Sequence, residues 1–167
     1  MGADALRLLH ALALAAIATA LAACSASLAS VADEVGVDRG ALVVLSDTFA
    51  VAARMTGSGV ELVGFRASEA GSWSTEPFAR ASGGRMTAHL ITYGGDTGEV
   101  WNSFFFGTAP AGASRVVLDG VHGQGGEASG GAWVIAFREK DLRPDQLAWE
   151  ALDAAGIVLE SGTGITP

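Results

Sequence analysis

The chain has 167 residues, half of them hydrophobic and 17% charged, with a formal net charge of −8. That length suits one folded domain with an N-terminal appendage, and the composition excludes a disordered chain, which lacks the apolar residues to build a core. The basic residues, nine Arg and the single Lys140, nowhere form a run, so the attraction behind most nonspecific nucleic-acid affinity is missing and nucleic acid is not an expected partner.

Residues 8–23 read LLHALALAAIATALAA, behind a short start that carries Arg7. A basic start, an apolar middle and small residues at the end are the layout of a secretory signal, so the body is expected outside the cytoplasm. The cleaner apolar part, residues 11–23, is well short of the roughly 20 residues that span a bilayer.

This run ends in Leu21-Ala22-Ala23-Cys24, which resembles the lipobox of bacterial lipoproteins: Leu, two small residues, then an obligatory Cys. The resemblance covers only the N-terminal segment. It implies that a diacylglyceryl group is attached to the Cys24 sulfur and that a dedicated peptidase cuts before Cys24, leaving it as the mature N-terminus. A thiol suits that step because its thiolate is a strong nucleophile. Cys24 is also the one cysteine of the chain, so the mature body is expected to have neither an internal disulfide nor a Cys-based zinc site.

Two alternatives keep export and change the anchor. One is ordinary cleavage after Ala29 or Ala32, where Ser27-Leu28-Ala29 and Ser30-Val31-Ala32 fit the small-x-small rule, giving a soluble secreted module. The other is an uncleaved signal anchor with Arg7 kept inside. With lipidation, residues 1–23 are the signal peptide and 24–40 a flexible tether of about 20 Å reach. The tether carries Asp33, Glu34 and Asp38, the wrong sign for anionic lipid, so the acyl chains alone would hold the protein to its membrane partner.

Residues 41–167 alternate short segments rich in Val, Ile, Leu, Phe and Thr with clusters of Gly, Ser, Pro or Asp, the spacing of an all-β sandwich or barrel. Strands are predicted at 41–45, 49–55, 60–67, 85–93, 100–106, 115–119, 132–138, 147–153 and 157–160. Hairpin turns are predicted at Gly94 to Gly98 and at Ala155-Gly156, and a turn or a single helical turn at 141–145 around Pro144. The expected fold is an antiparallel β-sandwich, immunoglobulin-like in pattern, behind the hydrophobic signal helix.

By the period of two, Met86, Ala88 and Leu90 share one face of their strand, and Arg85, Thr87 and His89 share the other, which is expected to meet water. In the 100–106 strand, Trp101 and Phe105 lie on one face and Phe104 and Phe106 on the other, so both faces are expected to be buried.

The sequence carries little chemistry. There is no G-x-S-x-G elbow and no S-x-x-K, and Ser46-Asp47 is only a sequence neighbour pair. His89 and His122 lack a companion at metal-ligand spacing, so no metal or cofactor is expected. Residues 123–128 formally match a dinucleotide fingerprint, but the β-rich AWVIAF follows where a helix is required, which makes the Gly-rich 120–131 stretch a hairpin loop. Residues 138–141 read as a solvated turn, without the alternating carboxylates of an EF-hand.

Among Trp73, Tyr93, Trp101, Trp133 and Trp149, Trp133 shares a strand face with Ile135 and Phe137 and is expected in the core. Trp73, in the polar stretch Gly71-Ser72-Trp73-Ser74-Thr75, is the candidate for ligand contact. The sequence thus predicts an exported, lipid-anchored module of the bacterial cell envelope. It would be noncatalytic and bind an envelope protein or glycan; the alternative is an envelope enzyme, or an accessory subunit of one, using His89, His122 and acidic residues in a cleft.

Overall fold

The computed structural model describes residues 26–165 except 82, 95–99 and 139–142. The expected signal segment and lipobox with Cys24, most of the expected 94–98 turn and most of the expected 138–141 turn lie outside the described residues.

The first four strands form an antiparallel meander in the order β1-β2-β3-β4: β1 (Leu42–Ser46), β2 (Phe49–Thr56), β3 (Gly59–Ala67) and β4 (Trp73–Ala81). A second sheet has the order β5-β6-β9-β8, from β5 (Thr87–Gly94), β6 (Val100–Thr108), β9 (Ala132–Phe137) and the two-residue β8 (Gln124–Gly125). A third has the order β11-β10-β7, from β7 (Arg115–Leu118), β10 (Ala148–Leu152) and β11 (Val158–Thr163). All pairings are antiparallel. The all-β expectation therefore stands. The strand order differs from a two-sheet immunoglobulin-like arrangement, because β1 to β4 close a sheet of their own.

Three apolar layers explain why the sheets stack. Val43, Leu45, Phe49, Val51 and Leu62 of the first sheet pack on Phe104, Phe106, Val134 and Ala136 of the second. The opposite face of that second sheet, with Phe105, Trp133, Ile135 and Phe137, packs on Val116, Leu118, Trp149 and Ala151 of the third. Residues alternate across a strand, so β6 and β9 are apolar at successive positions and buried on both faces, as expected for β6. Trp133 lies in this core as expected, its Nε1 donating to the carbonyls of Arg85 (3.1 Å) and Thr108 (3.2 Å).

The third layer corrects the reading of residues 24–40 as a flexible tether. From Ala26 the chain is folded: a helix α1 (Leu28–Glu34) starts at Ser27, whose Oγ accepts from the Ser30 N–H at 3.1 Å, an N-cap that satisfies one otherwise orphaned donor. Val31, Ala32 and Val37 cover Ala50, Ala52, Val63 and Phe65 on the outer face of the first sheet. A sheet with apolar residues on both faces must be covered on both, and this segment supplies the second cover. A 3₁₀ turn (Arg39–Ala41) leads into β1.

Arg54 fastens the helix. Its Nε and Nη2 donate to one Glu61 carboxylate oxygen at 2.9 and 2.6 Å, and its Nη1 donates to the Val35 carbonyl just past the end of α1. Glu61 is only 4% exposed, so a charge on an otherwise apolar surface is retained there by its guanidinium partner.

The Gly-rich 120–131 stretch is a hairpin connection, as expected. Ser129 and Ala132 exchange both backbone hydrogen bonds (3.0 and 3.1 Å) around Gly130 and Gly131, whose φ values are +59° and +82°. A two-residue turn with both central φ positive matches strand twist and calls for glycine. The Ala155-Gly156 turn is present too, with Asp153 Oδ1 accepting from the Ala155 and Ile157 N–H groups at 2.8 Å. A turn also forms around Pro144, with the Gln146 N–H donating to the Arg143 carbonyl at 3.0 Å.

Candidate functional site

An open cleft of ≈ 560 Å³ lies where the second and third sheets part, walled by β7, the 119–125 loop, Ile135 and Phe137 of β9, and Ala148 and Glu150 of β10. Its origin is a hairpin that opens. The third sheet is joined to the second near the Arg115–Glu127 bridge, where the Val116 N–H donates to the Gly126 carbonyl at 2.6 Å and the Ala128 N–H to the Ser114 carbonyl at 2.9 Å. Leu118 and Gln124 would be the next hydrogen-bonded pair toward the loop, yet among the described residues no bridge joins them; Gln124 and Gly125 pair with Ala136 and Ile135 of β9 while β7 turns away.

Glycine makes the loop's approach to β9 possible. A Cβ on Gly123 would stand 2.3 Å from Ile135 Cγ2 and 2.6 Å from Phe137 Cε1, and one on Gly125 2.5 Å from the Val134 carbonyl oxygen. This is a packing function for glycines that sequence motifs would assign to phosphate binding.

The cleft has an apolar lining from Val116, Leu118, Val121, Ile135 and Phe137, and a rim of four exposed polar groups: Arg115, Asp119, His122 and Glu150. Among the described residues none of the four rim side chains forms an ion pair, so both signs of charge stand uncommitted around a cleft whose exposed lining is more polar than apolar, the apolar side chains beneath it being nearly all buried. That arrangement can hold a polar or charged group by hydrogen bonds and charge pairing, with a smaller apolar contact beside it.

His89 lies elsewhere and not in water. It pairs with Phe104 across β5 and β6, placing it on the face turned to the first sheet, where its ring stands edge-on to Phe78 at 5.2 Å. Its Nε2 is buried without a hydrogen-bond partner among the described residues, and burial lowers its pKa below the ordinary histidine value. The first sheet covers a face that the alternation rule alone left to solvent. His89 and His122 are thus on opposite sides of the second sheet, and the structure does not bring them together. Among the described residues no group of three His, Cys, Asp or Glu could hold a metal ion.

Trp73 also has a different setting from the one expected. It is half-buried at the start of β4 and packs on the layer under α1. Its backbone N–H donates to the Ala26 carbonyl at 2.9 Å, while the Ala26 N–H donates to Ser72 Oγ at 3.3 Å. The polar Gly71 to Thr75 stretch therefore docks the start of the folded chain. Trp149, 3% exposed, lies in the core with its Nε1 unpaired among the described residues; the side chains of Tyr93 and Trp101 lie outside what the structure describes. Among the described residues no helix is long and apolar enough to cross a membrane.

Compared with protein families, curated proteins and solved structures, the chain matches none.

Proposed function

We propose that this chain is the precursor of an exported bacterial lipoprotein, anchored by acyl chains on Cys24. Its β domain acts outside the cytoplasm as a noncatalytic binding or envelope-organising module. The observation that carries the anchoring half is the relation of α1 to the three cleavage points open in the sequence. A cut after Ala29 falls inside α1 (Leu28–Glu34), and a cut after Ala32 removes Val31 and Ala32, which are 7% and 0% exposed. A cut before Cys24 leaves every described residue, from Ala26 on, in place. Cleavage at Cys24 is the one that preserves the cover of the first sheet.

The binding half rests on the cleft, whose size is in the range of about 300–1,000 Å³ found for ligand pockets. Of the two partner classes we take an envelope protein, because the cleft is rimmed by Arg115, Asp119, His122 and Glu150, groups that pair with the charged and polar side chains of a protein surface. The enzymatic alternative needed His89 and His122 in one cleft, and the geometry gives it no support.

The test is expression in a bacterium of the wild type and of Cys24→Ala, following membrane partition. Wild type should fractionate with membranes and extract with detergent, while the variant should lose the acyl-dependent membrane fraction. A wild type that is soluble and free of lipid would end the proposal.

A further inference from the structure

We infer that the anchored domain does not swing on a long tether but is clamped close against the bilayer, with the Ser68 to Ser72 turn of the first sheet as the end nearest the headgroups. The inference rests on the lipoprotein reading and adds the surface that meets the lipid. Cys24 precedes Ala26 by two residues, so however the intervening peptides are arranged, the two Cα atoms are at most about 7 Å apart. Ala26 itself is fixed by backbone bonds on both sides, to Ser72 Oγ and to Trp73 N–H. Ser27 caps α1 directly afterwards, and α1 is held by the burial of Val31 and Ala32 and by Arg54 on the Val35 carbonyl. A diacylglyceryl group on the Cys24 sulfur places that residue at the membrane interface, and the turn carrying Ser72 must follow it there.

The first sheet then fixes which end faces the lipid. The Ala67↔Trp73 and Ser46↔Phe49 pairs put the β3–β4 turn and the β1–β2 turn at the same end, and the Thr56↔Gly59 pair puts the β2–β3 turn at the other. Strand β3 runs between them over nine residues, Gly59–Ala67, a length of roughly 26 Å at the usual rise of about 3.3 Å per residue. The lipid-facing end carries Ser46, Asp47, Thr48, Arg66, Ser68, Glu69 and Ser72, with Arg66 paired to Glu76 at 3.8 Å. It is polar with Asp47 and Glu69 acidic, so it rests on headgroups without entering the hydrocarbon, and zwitterionic lipid suits it better than anionic lipid.

Once Cys24 is a thioether, an introduced cysteine is the sole free thiol, which makes the orientation readable. Ala70→Cys and Ser58→Cys, exposed positions at opposite ends of β3, are labelled with a fluorophore in the full-length protein purified from bacterial membranes. Each is reconstituted into phosphatidylcholine vesicles containing a headgroup-bound spin quencher. The clamp is expected to quench the label at position 70 far more than that at position 58. Inserting about 15 Gly and Ser residues between Ser25 and Ala26, a reach of about 20 Å, is expected to erase the difference. Equal quenching at both positions without the insert, on protein whose intact mass shows acylation, would overturn the clamp and leave the lipoprotein reading standing. An intact mass without acylation, with Cys24 itself taking the label, would sink both.

Discussion

Replacing Glu61 with Leu tests whether α1 is held to the first sheet as described. The carboxylate accepts two hydrogen bonds from Arg54, at 2.9 and 2.6 Å, and its side chain is 6% exposed against 30% for Arg54. Breaking a buried pair from one side costs about 3–5 kcal/mol because the remaining charge is stranded. Arg54 keeps a partial path to water and its bond to the Val35 carbonyl, which places the cost of Glu61→Leu nearer about 2–3 kcal/mol. Removing both charges together, Arg54→Met with Glu61→Leu, leaves no Arg54 guanidinium facing a lost carboxylate. Relative to Glu61→Leu it gives up chiefly the hydrogen bond to Val35, about 1 kcal/mol. The double variant should therefore be more stable than Glu61→Leu alone. Urea unfolding of the chain from Cys24 onward, with Cys24→Ser to keep it soluble, measures both through the midpoint at constant slope. A double variant less stable than the single would refute the account of this seam.

Three further outcomes follow from single residues. His89 binds a proton less readily folded than unfolded, because burial lowers its pKa; its contribution is complete above the unfolded value of about 6.5 and is lost as pH falls from there through the folded value. His89→Leu should flatten the stability profile as pH falls below about 6.5, and an unchanged slope would show that His89 is already hydrated. Trp149→Phe removes a buried donor that has no partner among the described residues and should be close to neutral, whereas Trp133→Phe orphans acceptors at Arg85 and Thr108 and should cost about 1–2 kcal/mol; thermal melts giving the reverse order would contradict the hydrogen-bond assignment. Gly123→Ala, whose Cβ would meet Ile135 at 2.3 Å, should displace the 119–125 loop and shift amide resonances around the cleft, and a spectrum changed only at residue 123 would mean that the loop does not lie on β9.

The sequence made the sheet residues legible wherever apolar residues alternate or run together. Nine expected segments all contain strands, with ends displaced by a residue or a few. Strand β4 was hidden because Trp73–Ala81 reads as polar and contains Pro77; an edge strand tolerates proline, which would leave a gap in a central ladder. Strand β8 is two residues inside a glycine stretch and exists only because β9 offers an edge. Helix α1 is short and follows the Ala-rich residues 8–23 with no change in composition, so its burial of Val31 and Ala32 could not be told from the apolarity of that run. His89 was misread for a related reason: alternation shows which residues share a face, but not whether another sheet covers it. The cleft depends on the parting of β7 from β8 and on Ile135 and Phe137 lying beneath the loop, relations between distant segments that no local pattern records.

All of this bears on where the mature chain begins. The measurement that tests it most directly is the intact mass, with N-terminal peptide mapping, of the protein recovered from an expressing bacterium. The recovered chain is expected to start at Cys24 and to carry acyl groups on it. A chain starting at Ser30 or Asp33 without lipid would mean that α1 is cut during export, and would contradict both the anchor and the role given to that helix.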